Sequence, residues 1–247
     1  MNLDSIPTLG HTLAVIDTET APCAMCEGVV AKLQRPYDVG MMIAHVGLDG
    51  SVTVLDEFNA LVSETWRDAE RMSRAFFANN LPFYELALEV GRIKERPMRM
   101  VRRSINARLA KFGVRDIWAY NVSFDKTVLN KSVEEDSNGY VEGFLVDPHS
   151  RWLDIMSAAS RTALATPEYL AWATSQGRMC KAGRPRATAQ DAYRYLTEDG
   201  FYTERHTALN DARDELKILA ALVKNYGYNN LADIALVHGL RPPRPTK

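Results

Sequence analysis

The segment Leu13–Thr20 constrains the fold more than any other, because four apolar residues in it run directly into two carboxylates, Asp17 and Glu19. The apolar run predicts a buried strand. Residues two apart on a strand point to the same face, so the two carboxylates are expected side by side at the strand's end. Adjacent negative charges repel unless a cation lies between them, and hard divalent ions such as Mg²⁺ bind carboxylate oxygens. The segment therefore predicts either a metal site or a strand that ends in a solvated acidic turn.

The composition is that of an ordinary globular protein, with 247 residues of which 46% are hydrophobic and 25% charged. This length fits one large domain or two small ones, and we expect a single domain over residues 1–240 followed by a flexible basic tail at 241–247. No apolar run is long enough to cross a bilayer, and the first residues lack the basic start of a secretory signal. Three cysteines are an odd number, which argues against a disulfide framework. These features predict a cytoplasmic protein.

The order of predicted elements indicates an α/β domain. Two β-rich runs flank Asp49-Gly50, which predicts a hairpin, and with the first strand they make a three-stranded antiparallel start to a sheet. A helical pattern covers Trp66–Phe112, divided by prolines. Strands and helices then alternate. We predict strands at 117–121 and at 152–156, the second leading into a helix, and further helices at 122–131, near 167, at 188–196 and at 206–226.

Basic residues are concentrated in two segments, although the net charge is only −1. Either cluster is a solvated face or a surface that contacts phosphates. The first cluster has nine basic residues opposed only by Glu95, and they are Arg92, Lys94, Arg96, Arg99, Arg102, Arg103, Arg108, Lys111 and Arg115. The second lies in a predicted loop and contains Arg178, Lys181, Arg184 and Arg186.

Cys23 and Cys26 form a Cys-x-x-Cys pair, which can be half of a zinc site. A structural zinc site needs four ligands, and the only other cysteine is Cys180. We therefore expect two reduced thiols.

Two further segments carry an aspartate near the start of a predicted helix, and the three segments follow one another in a recognisable order. They are Ile16-Asp17-Thr18-Glu19-Thr20, Ala119-Tyr120-Asn121-Val122-Ser123-Phe124-Asp125 and His206-Thr207-Ala208-Leu209-Asn210-Asp211-Ala212. Their order and spacing resemble the motifs of the DEDDh 3′–5′ exonucleases, a group of ribonuclease H-like fold that includes the proofreading subunit of bacterial replicative polymerase, ribonuclease T and oligoribonuclease. The resemblance spans Leu13–Leu222. A sister group has tyrosine four residues before the last aspartate, and this chain has Thr207 at that position. The chain instead has His206 five residues before the last aspartate, which is typical of the histidine type.

The resemblance implies a ribonuclease H-like mixed sheet, antiparallel over its first three strands and then parallel, flanked by helices. It implies that two Mg²⁺ or Mn²⁺ ions are held by four carboxylates, with one of them bridging both ions. These ligands are Asp17, as the bridge, Glu19, Asp125 and Asp211. His206 would take the proton from the attacking water, and nucleoside 5′-monophosphates would leave the 3′ end.

The same resemblance implies contacts with the terminal nucleotide from four residues beside these carboxylates. They are Thr18, Thr20, Asn121 and Phe124, of which Phe124 could equally belong to the core. The two basic clusters are candidate surfaces for the nucleic-acid strand. Asp154 follows an apolar strand but fits none of the three segments, so it is left out of the predicted site.

The expected activity is therefore metal-dependent 3′–5′ hydrolysis of nucleic acid, with single-stranded DNA as the favoured substrate. The alternatives are an exoribonuclease or oligoribonuclease of the same fold, and a catalytically silent nucleic-acid-binding module. Residues 192–196 and 204–212 further resemble stand-alone exonucleases of bacteriophages. No membrane association is expected, and the protein would be a monomer or a homodimer.

Overall fold

The computed structural model describes residues 9–22 and 34–243. Cys23 and Cys26 lie outside the described residues, as does the end of the predicted tail, 244–247. The predictions made for them are therefore not tested.

Six strands form one mixed sheet, in the order β4-β3-β2-β1-β5-β6. Neighbouring β1, β2 and β3 are antiparallel, whereas β5 runs parallel to β1 and β6 parallel to β5. The predicted α/β class, with its antiparallel start and parallel continuation, is confirmed. The strands are β1 (Gly10–Pro22), β2 (Gln34–Gly47), β3 (Val52–Val62), β4 (Lys94–Arg96), β5 (Asp116–Ala119) and β6 (Arg151–Asp154).

Helices cover both faces of this sheet. Those in the described ranges are α1 (Ser63–Trp66), α2 (Ala69–Met72), α3 (Leu81–Glu89), α4 (Met98–Lys111), α5 (Val122–Asp136), α6 (Ile155–Arg161), α7 (Pro167–Ser175), α8 (Ala189–Thr197), α9 (Ala208–Tyr226) and α10 (Tyr228–Ala235). Short 3₁₀ turns lie at Ala78–Asn80 and Ala163–Ala165. None of the described helices is long and apolar enough to cross a membrane.

Two sequence predictions about element boundaries are corrected by the structure. The helical pattern over Trp66–Phe112 is interrupted by β4, which pairs with the end of β3. A residue before proline favours extended backbone, and Arg96 precedes Pro97, so the chain is extended there. The last long helix begins at Ala208 rather than His206, because His206 has a φ of 54° and cannot continue a right-handed helix.

The central strand β1 is buried on both faces, which explains its continuous apolar run. Leu13 and Val15 pack into the core beneath α9, while Ala14 and Ile16 face the core beneath α4 and α5. β1 pairs with β5 through Ala14 and Val15. Its second half continues past the end of β5, so Asp17 and Glu19 come to the open carboxyl edge of the sheet, where ligands of such sheets collect.

Helix α9 approaches the sheet at Gly40, which pairs with Asp17 across β1 and β2. A Cβ atom built on Gly40 would lie 2.2 Å from the backbone nitrogen of Leu209. Only glycine therefore allows the first turn of α9 to lie this close to β2. The buried Asp38 carboxylate fixes the same turn, since its Oδ2 accepts the Ala208 N–H at 3.0 Å and the Tyr84 hydroxyl at 2.8 Å.

Candidate active site

Three elements bring the predicted acidic residues to one cavity of about 360 Å³. Strand β1 carries the first two, the first turn of α5 carries the third, and the first turn of α9 carries the fourth, with the histidine two residues ahead of α9. Eight of the nine predicted site residues line this cavity, namely Asp17, Thr18, Glu19, Thr20, Phe124, Asp125, His206 and Asp211. The ninth, Asn121, lines an adjoining cavity.

Ligand atoms of Glu19, His206 and Asp211 all lie within 4.8 Å of one another. Glu19 and Asp211 are 5% and 4% exposed. The Oδ1 atom of Asp211 is buried and has no hydrogen-bond partner among the described residues. A buried carboxylate oxygen without a donor is costly unless a cation occupies its open side. The two carboxylates therefore fit a divalent ion such as Mg²⁺ or Mn²⁺, which favour oxygen ligands, and the His206 ring lies next to them.

Asp125 is fixed by Thr18. The Thr18 hydroxyl donates to Asp125 Oδ1 at 2.7 Å, and both side chains are buried. The hydroxyl predicted to contact a nucleotide is therefore engaged with a neighbouring carboxylate. The Thr20 hydroxyl is likewise engaged, since it donates to Gln34 Oε1 at 2.8 Å.

The pKa values of these carboxyl groups lie far above their ordinary range. Burial raises the pKa of Glu19 to about 10, and repulsion from Asp211 adds to the rise. Burial raises the pKa of Asp211 to about 8. Burial also raises the pKa of Asp125 to about 7, although the hydrogen bond from Thr18 opposes the change. Without a cation, the environment of these carboxyl groups favours their protonated forms, and a bound metal would favour the ionised forms instead.

Asp17 lies at the junction of both cavities. Desolvation raises its pKa well above the ordinary value, and repulsion from Glu215 is the next largest cause. Glu215 was not predicted. Its buried carboxylate accepts the Tyr120 N–H at 3.1 Å and lines the adjoining cavity. The sequence feature that could have identified Glu215 is its spacing of four residues from Asp211, because residues i and i+4 share a helix face.

Glu204 also lines both cavities and was not singled out from the sequence. Burial raises its pKa, with repulsion from Asp214 next. It lies in the irregular segment before α9, where no periodicity marks the direction of a side chain.

Asp154 lies outside the cluster, as expected from the sequence. It is fully buried, and its two oxygens accept hydrogen bonds from backbone N–H groups and one hydroxyl. The donors are the N–H groups of Asn121, Val122, Met156 and Gly239 and the Ser157 hydroxyl. Its role is to fasten the starts of α5 and α6. Asn121 has a φ of 64°, which asparagine tolerates better than most residues.

The adjoining cavity, of about 490 Å³, is lined by both acidic and basic side chains. The acidic ones are Asp17, Glu204 and Glu215, and the basic ones are Arg184, Arg186 and Arg241. The first two of these arginines belong to a hairpin-like loop bridged at Met179 and Pro185. The loop is held by the Arg178–Asp191 ion pair at 2.5 Å.

The first basic cluster contributes to neither cavity that Asp17 lines. Two of its arginines contact protein groups instead. Arg102 Nε donates to the carbonyls of Gly143 and Phe144 at 3.0 Å, and Arg108 pairs with Asp56 at 3.3 Å.

Comparison with known proteins gives matches to solved structures. No protein-family model matches the chain, and no curated protein matches it. Solved structures that align with it include "Exonuclease X in complex with 5′ overhanging duplex DNA", at 16% identity and a TM-score of 0.42, covering 90% of this chain and 99% of that one. Another is a "full-length 3′-exonuclease", at 10% identity and a TM-score of 0.48, covering 86% of this chain and 81% of that one. At such scores neither similarity bears on function, which has to be inferred from the site.

Proposed function

We propose that this protein is a divalent-metal-dependent 3′–5′ exonuclease, with single-stranded DNA as its favoured substrate. The observation that carries the proposal is the convergence of four carboxylates and a histidine on one cavity, with a buried Asp211 oxygen that lacks a hydrogen-bond partner among the described residues. The 3′–5′ direction of hydrolysis and the choice of DNA as substrate follow from the resemblance of the three segments rather than from the geometry.

In this proposal Asp17, Glu19, Asp125 and Asp211 hold two Mg²⁺ or Mn²⁺ ions. Such ions, when bound, polarise the phosphate and lower the pKa of an attacking water. Thr18 keeps Asp125 oriented through its hydrogen bond.

His206 serves as the general base. Burial lowers its pKa from the ordinary value, so the imidazole is neutral at pH 7 and can accept a proton from water. Its ring lines the same cavity as the carboxylates, which supports transfer over a short distance.

The cavity that contains these carboxylates suits a terminal nucleotide, because Phe76 and Phe124 line it together with polar groups. Aromatic side chains stack on bases without regard to sequence. The adjoining cavity suits the phosphates that follow, since Arg184 and Arg186 line it and offset the charge of its acidic side chains. The hairpin-like loop, rather than α4, is therefore the proposed strand-binding surface.

A catalytically silent binding module is the alternative from a different class. Binding alone does not require buried carboxylates, which repel phosphate and cost stability. An exoribonuclease shares every feature above and differs only in the sugar it accepts.

The test uses purified protein with 3′- and 5′-labelled single-stranded DNA, duplex DNA and RNA, each with Mg²⁺, with Mn²⁺ or with chelator. We expect stepwise shortening from the 3′ end that requires metal and is fastest on single-stranded DNA. Asp17→Asn should abolish it, and Asp49→Asn, in the exposed β2–β3 turn, should not. Binding without metal-dependent shortening would favour the silent module, and faster cleavage of RNA would favour the exoribonuclease.

A further inference from the structure

We propose that the segment Phe76–Asn80 is a positioning element for His206, in which Phe77 fixes the imidazole ring and Asn80 fixes the backbone that carries it. The inference rests on the proposed function in assigning the proton transfer to His206. The contacts themselves stand independently of that function.

Phe77 stacks directly on His206. The ring centroids are 3.6 Å apart and the planes differ by 6°. Both residues have positive φ, 60° and 54°, in a region that non-glycine residues rarely occupy. Such conformations persist where surrounding contacts hold them, so the stack is a specific arrangement rather than the default of two neighbouring loops.

Asn80 holds the backbone on either side of the imidazole. Its Nδ2 donates to the carbonyl of Arg205 at 2.9 Å and to that of His206 at 2.6 Å. A carboxamide nitrogen has two N–H donors, so one side chain satisfies both carbonyls. These bonds tie the irregular segment before α9 to the start of α3.

The other end of the positioning element is fastened to the sheet. The Phe76 N–H donates to the Thr20 carbonyl at 3.1 Å, and the Tyr37 hydroxyl donates to the Phe76 carbonyl at 3.0 Å. Thr20 follows Glu19 on β1. The element therefore links the strand that carries two of the carboxylates to the residue that would accept the proton, and it sets the distance between them.

Phe77 is 45% exposed and lines the candidate site, so the competing role is stacking on a nucleobase. The two roles differ in what they change. A residue that orients the base alters the rate of the chemical step, because small misplacements of a reacting group slow it strongly. A residue that binds a nucleobase alters the affinity for the strand.

The experiment is a double-mutant cycle between Phe77→Ala and His206→Ala, with kcat and KM measured on single-stranded DNA. We expect Phe77→Ala to lower kcat by about 10-fold with little change in KM. In the His206→Ala protein the same substitution should have no further effect on kcat. Phe77→Trp should restore most of the rate, since its ring can stack in the same place. Asn80→Asp, which replaces the donor by an acceptor, should resemble Phe77→Ala.

Phe83→Ala is the matched control, because Phe83 lies on α3, is 52% exposed and lines neither cavity. It should leave kcat unchanged. Additive effects of Phe77→Ala and His206→Ala, or an increase in KM without a fall in kcat, would overturn the proposal in favour of nucleobase stacking.

A second readout does not need activity. A phenyl ring stacked on an imidazole shifts the imidazole proton resonances upfield, and the chain has only five histidines. Phe77→Ala should move the His206 resonance downfield and leave the other four in place, with His206→Ala giving the assignment. An unchanged His206 shift would show that the stack is absent in solution. An inactive wild-type protein with the expected shift would instead count against the nuclease function.

Discussion

At the scale of single residues, the candidate site is a set of buried groups that lower the stability of the folded protein. Glu19 and Asp211 are buried close together with like charges, and one Asp211 oxygen has no hydrogen-bond donor within the described residues. Functional sites commonly cost stability in this way.

Asp211→Asn should therefore stabilise the protein in chelator while removing its activity. Neutralising one of the crowded carboxylates relieves repulsion, and we expect a gain of about 1 kcal/mol in the free energy of unfolding. Hydrolysis should fall at least ~100-fold because a metal ligand is removed. Thermal unfolding with chelator and with Mg²⁺ tests this; wild type should gain stability from Mg²⁺ and the variant should not. A variant less stable than wild type in chelator would contradict the argument.

At the scale of elements, α9 decides whether the site exists, because it carries Asp211 and follows His206. Its position depends on the absence of a side chain at Gly40 and on the N–H bond to Asp38. An error of a fraction of an ångström in this packing would move the Asp211 carboxylate away from β1.

Gly40→Ala should separate α9 from β2. The added methyl would meet the Leu209 nitrogen at 2.2 Å, and overpacking of this kind costs about 1–3 kcal/mol. Urea unfolding should show the loss, and metal-dependent hydrolysis should fall with it. Gly200→Ala is the control, since an added Cβ there meets nothing within 4 Å. Equal stability of the two variants would disprove the close approach.

The hairpin-like loop allows a separate prediction on binding. The double variant Arg184→Ala with Arg186→Ala should have a higher KM and a KM that depends less on salt concentration. The slope of log KM against the logarithm of salt concentration should fall by about 0.7 for each phosphate of a single strand that an arginine no longer neutralises. Arg99→Ala with Arg103→Ala removes the same charge from exposed positions on α4 and should do neither. KM measured between low and high salt distinguishes the clusters. A larger effect from the α4 pair would indicate that the nucleic acid binds at α4 instead.

At the scale of the whole molecule, the acidic cluster couples folding to pH and to metal. The folded pKa values of Asp125 and Asp211, about 7 and about 8, lie above the ordinary value of 3.8. The folded state therefore binds more protons than the unfolded state from about pH 4 upward, so stability falls as pH rises through this window.

In chelator, the melting temperature should decrease between pH 5 and pH 8. Added Mg²⁺ should raise it more at pH 8 than at pH 6, because fewer protons compete for the carboxylates. Thermal scans at the two pH values, with and without Mg²⁺, measure both effects. The Asp211→Asn protein should show a shallower decline. A melting temperature in chelator that increases over this range would contradict the coupling.

The site carboxylates could be predicted from the sequence because each lies in a short segment whose local structure is encoded nearby. Asp17 follows an apolar strand, and Asp125 and Asp211 begin helices. The stack of Phe77 on His206 could not be predicted, since it joins two loops that are distant in sequence. Nor could composition choose between the two basic clusters, because only the tertiary fold brings Arg184 rather than Arg99 to the cavity that Asp17 lines. Strand β4 was missed because three residues are too few to show a period.

Asp154 connects the start of α5 to the last segment that the structure describes. Its Oδ1 accepts the Asn121 N–H and its Oδ2 accepts the Gly239 N–H, while Leu240 donates to Ser157 beside it. Arg241, next along the chain, lines the cavity that Asp17 also lines. Shortening the protein before Gly239 would therefore strip a buried carboxylate of a donor and take away part of a cavity wall. For anyone handling the protein, a truncation before Gly239 is a change close to the candidate active site.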